Sequence, residues 1–164
     1  MLKVLSIVPD TIVDGPRMRT SIYLSGCSHG CKGCHNPSSW VLNNGKNIEI
    51  SSVIDEVKKA DHGRVTISGG DGLCYQVEGT LKLVQELRKE IPGINIWLYT
   101  GYTWEELMED EERKPILKYL DVLVDGKFQQ ENYSKDCLFR GSTNQRLILV
   151  QESLMEGDIV LYGQ

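Results

Sequence analysis

The chain has 164 residues, the span of one domain, and its 40% hydrophobic and 25% charged residues exclude a disordered or fibrous polypeptide. Eighteen Lys and Arg against 23 Asp and Glu leave a net charge of −5, the wrong sign for a surface that neutralises nucleic-acid phosphates or anionic lipid. No apolar stretch reaches the ~18 residues of a membrane span, and the segment Met1 to Ser6 lacks a secretory signal's apolar core. The expectation is therefore a cytoplasmic protein of a single domain, residues 1–164, with neither nucleic acid nor membrane as partner.

In chain order, Thr20 to Gly26 reads as a buried strand emptying into a loop that carries three cysteines. Ser52 to Asp55 resembles a capping box, and Val53, Ile54 and Val57 at helical spacing extend a helix to about Ala60. Arg64 to Ser68 is the next strand, running into Gly69-Gly70-Asp71-Gly72. Thr80 is placed to cap a helix whose Leu81, Val84, Leu87 and Ile91 form one stripe, ended by Pro92-Gly93. Ile94 to Tyr99 follows as a strand, then a second capping box from Thr103 to Glu106, and Pro115 in the first turn of another helix. Leu120 to Val124 is a further strand ending at Asp125-Gly126, and Leu147 to Val150 and Ile159 to Tyr162 are candidate terminal strands. Strands alternating with helices predict an α/β fold with mainly parallel strands and functional loops at the strands' carboxyl ends. The chain is too short for a closed eight-stranded barrel of ~250 residues, so the expected architecture is an open partial (β/α) barrel.

The chemistry-bearing stretch is Gly26-Cys27-Ser28-His29-Gly30-Cys31-Lys32-Gly33-Cys34-His35-Asn36. Three of the five cysteines crowd into one short loop, which argues against a disulfide framework and for a metal centre. Structural zinc wants four protein ligands, and His29 or His35 would have to complete the set, which keeps a non-catalytic zinc-binding module as the alternative of a different class. An iron–sulfur cubane takes four thiolates, so three leave one iron open to another ligand.

The spacing Cys-x-x-x-Cys-x-x-Cys resembles the signature of the radical S-adenosylmethionine enzymes. The resemblance implies that Cys27, Cys31 and Cys34 are the metal ligands and catalytic residues, holding a [4Fe-4S] cluster whose fourth iron binds S-adenosyl-L-methionine. Reduction of the cluster then releases a 5′-deoxyadenosyl radical. It further implies cofactor contacts from Gly33, Cys34 and His35, and from Gly69, Gly70 and Asp71, which match the family's Gly-Gly-Glu-like strip. The family's proline after that strip is replaced here by Gly72.

Further stretches narrow the resemblance to the activating proteins of anaerobic (class III) ribonucleotide reductase. They are Val13 to Pro16, Gly33 to Pro37 with Trp40, Trp97 to Tyr102, Asp121 to Phe128 and Arg140 to Arg146. Arg17 stands where that family has a second glycine, and Arg19 keeps the arginine that follows. The resemblance implies a protein substrate, the reductase, on which a glycyl radical is generated, with reduced flavodoxin or a similar donor supplying the electron. The alternative within the class is an activase of another glycyl-radical enzyme, such as pyruvate formate-lyase. Cys74 and Cys137 read as incidental thiols, His29 as a loop residue, His62 as a surface residue, and Trp97, Tyr99 and Tyr102 as core. Asp125 reads either as part of an Asp-Gly turn or as a cation-binding carboxylate, and the Arg140 to Arg146 strip as a segment that docks the reductase or closes over the site.

Overall fold

The computed structural model describes residues 1–163. Its framework is one open seven-stranded sheet in the order β3-β1-β2-β4-β5-β6-β7. The strands are β1 (Leu2–Thr11), β2 (Arg19–Leu24), β3 (Lys46–Ile48), β4 (Arg64–Gly69), β5 (Asn95–Tyr99), β6 (Val122–Asp125) and β7 (Arg146–Leu149). The α-helices are α1 (Ile50–Ala60), α2 (Val77–Glu90), α3 (Trp104–Met108) and α4 (Val150–Glu156).

The central pairs β2/β4, β4/β5 and β5/β6 are parallel, as the strand and helix alternation predicts. The flanking pairs β1/β2, β1/β3 and β6/β7 are antiparallel, which makes the whole sheet mixed. Period-2 alternation sorts the side chains. Ile96 and Leu98 of β5 enter the large core with Ile22, Leu24, Ile67, Val53, Leu83 and Leu123, whereas Trp97 enters a second cluster with Val122 and Val124. The buried faces of α1 and α2 contribute only to the first cluster.

Several sequence expectations shift. Helix α1 begins at Ile50 with Glu49 as N-cap and no side-chain cap, so Ser52 lies inside the first turn and closes no capping box. Thr80 does not cap α2, which starts three residues earlier at Val77. Its hydroxyl instead donates to the Gly72 carbonyl at 3.0 Å. That earlier start rotates the buried stripe onto Val77, Thr80, Leu83, Val84 and Leu87. At Thr103 the N-cap bond of the box forms: Thr103 Oγ1 accepts from the Glu106 amide at 3.1 Å. Pro115 starts a 3-10 turn over Lys114–Tyr119. Ile159 to Tyr162 is not a strand; it touches β7 through an isolated bridge between Ile148 and Leu161. Strands β1 and β3 and helix α4 were not legible. β1 carries two register irregularities and Pro9, which break the alternation that would mark it.

One buried cation ties the first loop to the sheet. Arg19, 1% exposed, donates to Thr66 Oγ1 (2.9 Å), the Val65 carbonyl (3.0 Å) and Asn95 Oδ1 (2.8 Å), and its guanidinium lies 5.3 Å from the Trp97 ring. Burial lowers its pKa to about 10. Neighbouring Arg17 adopts the left-handed region with φ +62°, so the loop keeps a glycine-like backbone although the side chain is arginine.

Candidate functional site

The carboxyl ends of β2, β4, β5 and β6 surround a cavity of about 220 Å³. β2 runs out through Ser25, whose hydroxyl donates to the Leu42 carbonyl at 2.6 Å, and the Gly26 and Cys27 amides donate to the carbonyls of Ser39 and Trp40 at 2.7 and 3.1 Å. These bonds fix where the cysteine loop leaves the sheet. Parallel pairing sets Leu24 beside Gly69, so the loop after β4 meets the cysteine loop at the same edge.

Close backbone approach dictates the two glycines there. Gly69 has φ +101°, and a Cβ on Gly70 would lie 2.7 Å from the Gly26 carbonyl oxygen and 2.8 Å from that of Ser39. The Gly70 and Asp71 amides donate to the Leu24 and Gly26 carbonyls at 2.7 and 2.9 Å, which stitches the two loops together.

The fold brings the candidate cluster and cofactor residues, Gly33 apart, to this cavity. Cys27, Cys31, Cys34, His35, Gly69, Gly70 and Asp71 line it, joined by Tyr99 at the end of β5 with Thr100 and Gly101 beyond it, by Gly126 to Phe128 after β6, and by Gly141 and Gln145. Gly33 is placed on the same loop with φ +78°, packed toward Gln130. The His35 ring lies 5.1 Å from Phe128 and 6.1 Å from Tyr133, an aromatic group at one flank of the cavity. Tyr99 donates its hydroxyl to the Phe139 carbonyl at 2.5 Å.

The Asp71 carboxylate is 2% exposed and turned into the protein. Its Oδ2 accepts from Thr100 Oγ1 and the Gly101 amide, both at 2.8 Å, and bonds His29 Nε2 at 2.6 Å, while Oδ1 accepts from the Leu73 amide at 2.9 Å. The strand-end position therefore leaves the strip's backbone, not this side chain, available at the cavity. His29 is no free loop residue. Its side chain is 7% exposed, Tyr102 packs edge-on against it at 4.8 Å, and the bond to Asp71 with help from Cys74 raises its pKa to about 9.

Cys74, read as incidental, stands three residues beyond Asp71 and reaches the cysteine loop. Its sulfur accepts from the Ser28 amide and hydroxyl at 3.4 Å each and lies 3.5 Å from His29 Nε2. Its hydrogen bond with Cys27, then His29 and Ser28, hold it as the more acidic thiol, while the same bond and burial push Cys27 up. Burial also pushes Cys31 up. Cys137 lies apart in a neighbouring recess with Asp14 and Tyr133.

Among the described residues, the ligand atoms of Cys27, His29 and Cys74 lie within 4.8 Å of one another, a grouping that omits Cys31 and Cys34. Thiolates that each take a different iron of a cubane stand farther apart than the ligands of one ion. Three thiols spread around one cavity thus fit a polynuclear cluster, and Cys27, Cys31 and Cys34 do not fit one ion held by all three.

Two other expectations change. Asp125, 1% exposed, accepts from the Trp104 amide (2.8 Å) and from the Arg146 amide (3.2 Å), Nε (3.1 Å) and Nη2 (2.6 Å), so a fixed cation already occupies it. His62 is no surface residue held by a helix dipole. Its side chain is 11% exposed, its Nε2 lies 2.9 Å from the Pro9 carbonyl, and it sits 3.4 Å from Asp10. The Arg140 to Arg146 strip is folded on itself. Gln145 Oε1 accepts from the Gly141 and Ser142 amides at 2.9 and 3.1 Å, and Gln145 Nε2 donates to the Gly126 carbonyl at 3.0 Å. No helix among the described residues is long and apolar enough to cross a membrane.

The 4Fe-4S single cluster domain model matches residues 13–148. Over 147 residues the chain is 38% identical to the anaerobic ribonucleoside-triphosphate reductase-activating protein of Haemophilus influenzae, an alignment that covers 86% of this chain and 94% of that relative. The same-named proteins of Vibrio cholerae and Escherichia coli K12 are 41% and 39% identical, each over 84% of this chain and over 91% and 92% of their own lengths.

Proposed function

This chain belongs to the family of anaerobic ribonucleoside-triphosphate reductase-activating proteins and to the 4Fe-4S single cluster domain family, and on that premise we propose that it generates a glycyl radical on a partner anaerobic reductase. In this reading residues 1–164 work as one radical S-adenosylmethionine domain, and the open sheet is the wall of a partial barrel. Cys27, Cys31 and Cys34 hold the [4Fe-4S] cluster. When bound, the cluster would supply the electron that splits the sulfonium of S-adenosyl-L-methionine, with reduced flavodoxin or a donor of the same low potential as its source.

The chain's own residues bind and orient. The Gly69 to Asp71 backbone offers the methionine moiety the polar groups that its bonds to Leu24 and Gly26 leave over, and the two glycines let that strip lie against the Leu24, Gly26 and Ser39 backbone. Asp71 keeps its carboxylate inward, clamping the loop after β5 and the cysteine loop to one edge. His35 and Phe128 line the flank available to the adenosine, with the Tyr133 ring packed against both and Gly33 on the same loop as His35. The Arg140 to Arg146 strip stands at the rim, where the reductase's glycine must arrive. Five unpaired cysteines suit the reducing cytoplasm as the place of reaction.

The observation that carries this reading is the convergence of three thiols and the Gly69-Gly70 strip on one cavity at the carboxyl edge of parallel strands. The test is an anaerobic incubation of reconstituted protein with S-adenosyl-L-methionine and dithionite, with and without the reductase. 5′-Deoxyadenosine together with a glycyl doublet in the electron paramagnetic resonance spectrum is the expected result. The absence of both signals from a protein loaded with cluster iron would refute it.

A further inference from the structure

We propose that, in the cluster-free protein, Cys27 Sγ, Cys74 Sγ and His29 Nε2 form a binding site for one soft divalent cation of the zinc class. The three ligand atoms already lie within 4.8 Å of one another. A tetrahedral ion with metal–sulfur and metal–nitrogen bonds of about 2.3 and 2.0–2.1 Å has an S···N edge of about 3.5 Å, and His29 Nε2 stands 3.5 Å from Cys74 Sγ. Two thiols and an imidazole select zinc or a similar ion over magnesium or calcium, which take oxygen ligands.

The site is built by the sheet and not by local spacing. Cys27 and His29 follow β2, Cys74 follows β4, and the parallel pairing of Leu24 with Gly69 brings the two loops together. Ser28 fixes the Cys74 sulfur through two donors, the kind of outer support that orients a ligand. Binding exchanges the Nε2 bond to Asp71 for the metal. Asp71 remains satisfied by Leu73, Thr100 and Gly101, and its carboxylate stays beside the cation. No electron is transferred; the protons on the two sulfurs and on Nε2 pass to the buffer, and water takes the fourth position. Because Cys27 alone is shared with the proposed cluster set, ion and cluster exclude each other.

The probe is Co²⁺ titrated anaerobically into the full-length, chelator-stripped chain, followed by displacement with Zn²⁺. Cys31→Ser/Cys34→Ser protein is expected to bind one equivalent with a thiolate charge-transfer band and the intense visible bands of a tetrahedral site. Adding Cys74→Ser to that background is expected to weaken binding by at least the roughly 10- to 100-fold that loss of a mere outer-shell partner costs, and adding Cys137→Ser to leave it unchanged. Wild-type protein that binds while the Cys31→Ser/Cys34→Ser protein, folded by circular dichroism, does not would overturn the site, as would equal binding after Cys74→Ser. If the double variant does not fold, Cys74→Ser alone decides: a weaker charge-transfer band supports the site and an unchanged one refutes it. Iron and sulfide uptake by the wild type, scored by iron content and colour, reads the cluster proposal separately. A chain that fails there but binds Co²⁺ through Cys74 refutes only the cluster.

Discussion

Replacing Arg146 by alanine tests how the rim of the cavity is held. One guanidinium serves two carboxylates, Asp125 at 2.6 Å, 1% exposed, and Glu105 at 2.6 Å, 61% exposed. Removing a partner from a buried pair costs about 3–5 kcal/mol because a charge is stranded. Here Asp125 keeps the Trp104 and Arg146 amides, and the Arg146 side chain is itself 31% exposed, so about 2–3 kcal/mol is expected for Arg146→Ala. Glu105→Ala removes only an exposed pair and is expected to lose less than about 1 kcal/mol. Urea unfolding of the cluster-free chain, read by far-ultraviolet circular dichroism, measures both. The thermal midpoint of Arg146→Ala is expected to fall by about 4–12 °C at this chain length. Asp125→Asn placed on Arg146→Ala is expected to recover part of the loss, since the stranded charge is gone. Equal losses for Arg146→Ala and Glu105→Ala, or less than about 1 kcal/mol for the former, would show that burial of Asp125 does not set the strength of this pair.

Gly70→Ala drives a methyl against two backbone carbonyls that cannot yield separately; a loss of about 1–3 kcal/mol and reduced iron uptake on reconstitution are expected, and a fully loaded, equally stable variant would contradict the close approach. Arg17→Gly relieves a left-handed residue worth about 1–2 kcal/mol and adds about 0.5–1 kcal/mol of unfolded-chain entropy, so a net gain of about 0.5–1 kcal/mol is expected in the same unfolding assay, and a loss would refute the strain. Tyr23, hydrogen-bonded to Asp14, has its pKa raised to about 12, chiefly by burial and then by that bond. Because the folded state favours the neutral phenol, its stabilisation is present below pH 10 and disappears between about pH 10 and 12. Tyrosinate absorbance of wild type minus that of Tyr23→Phe checks this: the difference is expected to rise near pH 12, and a difference step centred near pH 10 would contradict it.

What the sequence by itself determined was local. Cys27, Cys31 and Cys34 share a loop because they share eight consecutive positions, and the strand and helix alternation that sets β2, β4, β5 and β6 parallel follows from short apolar periods. The Gly69-Gly70 strip was legible for the same reason, as a turn chemistry written in adjacent residues. The tertiary structure alone decided which distant groups meet. Cys74 meets His29 and stands within 4.8 Å of Cys27, Asp71 clamps His29 to Thr100 and Gly101, and Arg146 fills the Asp125 carboxylate, which in the sequence reads either as part of an Asp-Gly turn or as a cation-binding group. The one hint for Cys74 was its place three residues past Asp71 on a loop expected at the cysteine edge. The start of α2 at Val77 and the bulged β1 escaped because packing and non-local pairing outweighed capping and alternation there. Side-chain bonds between segments tens of residues apart depend on strand register, and register is settled only when the sheet assembles.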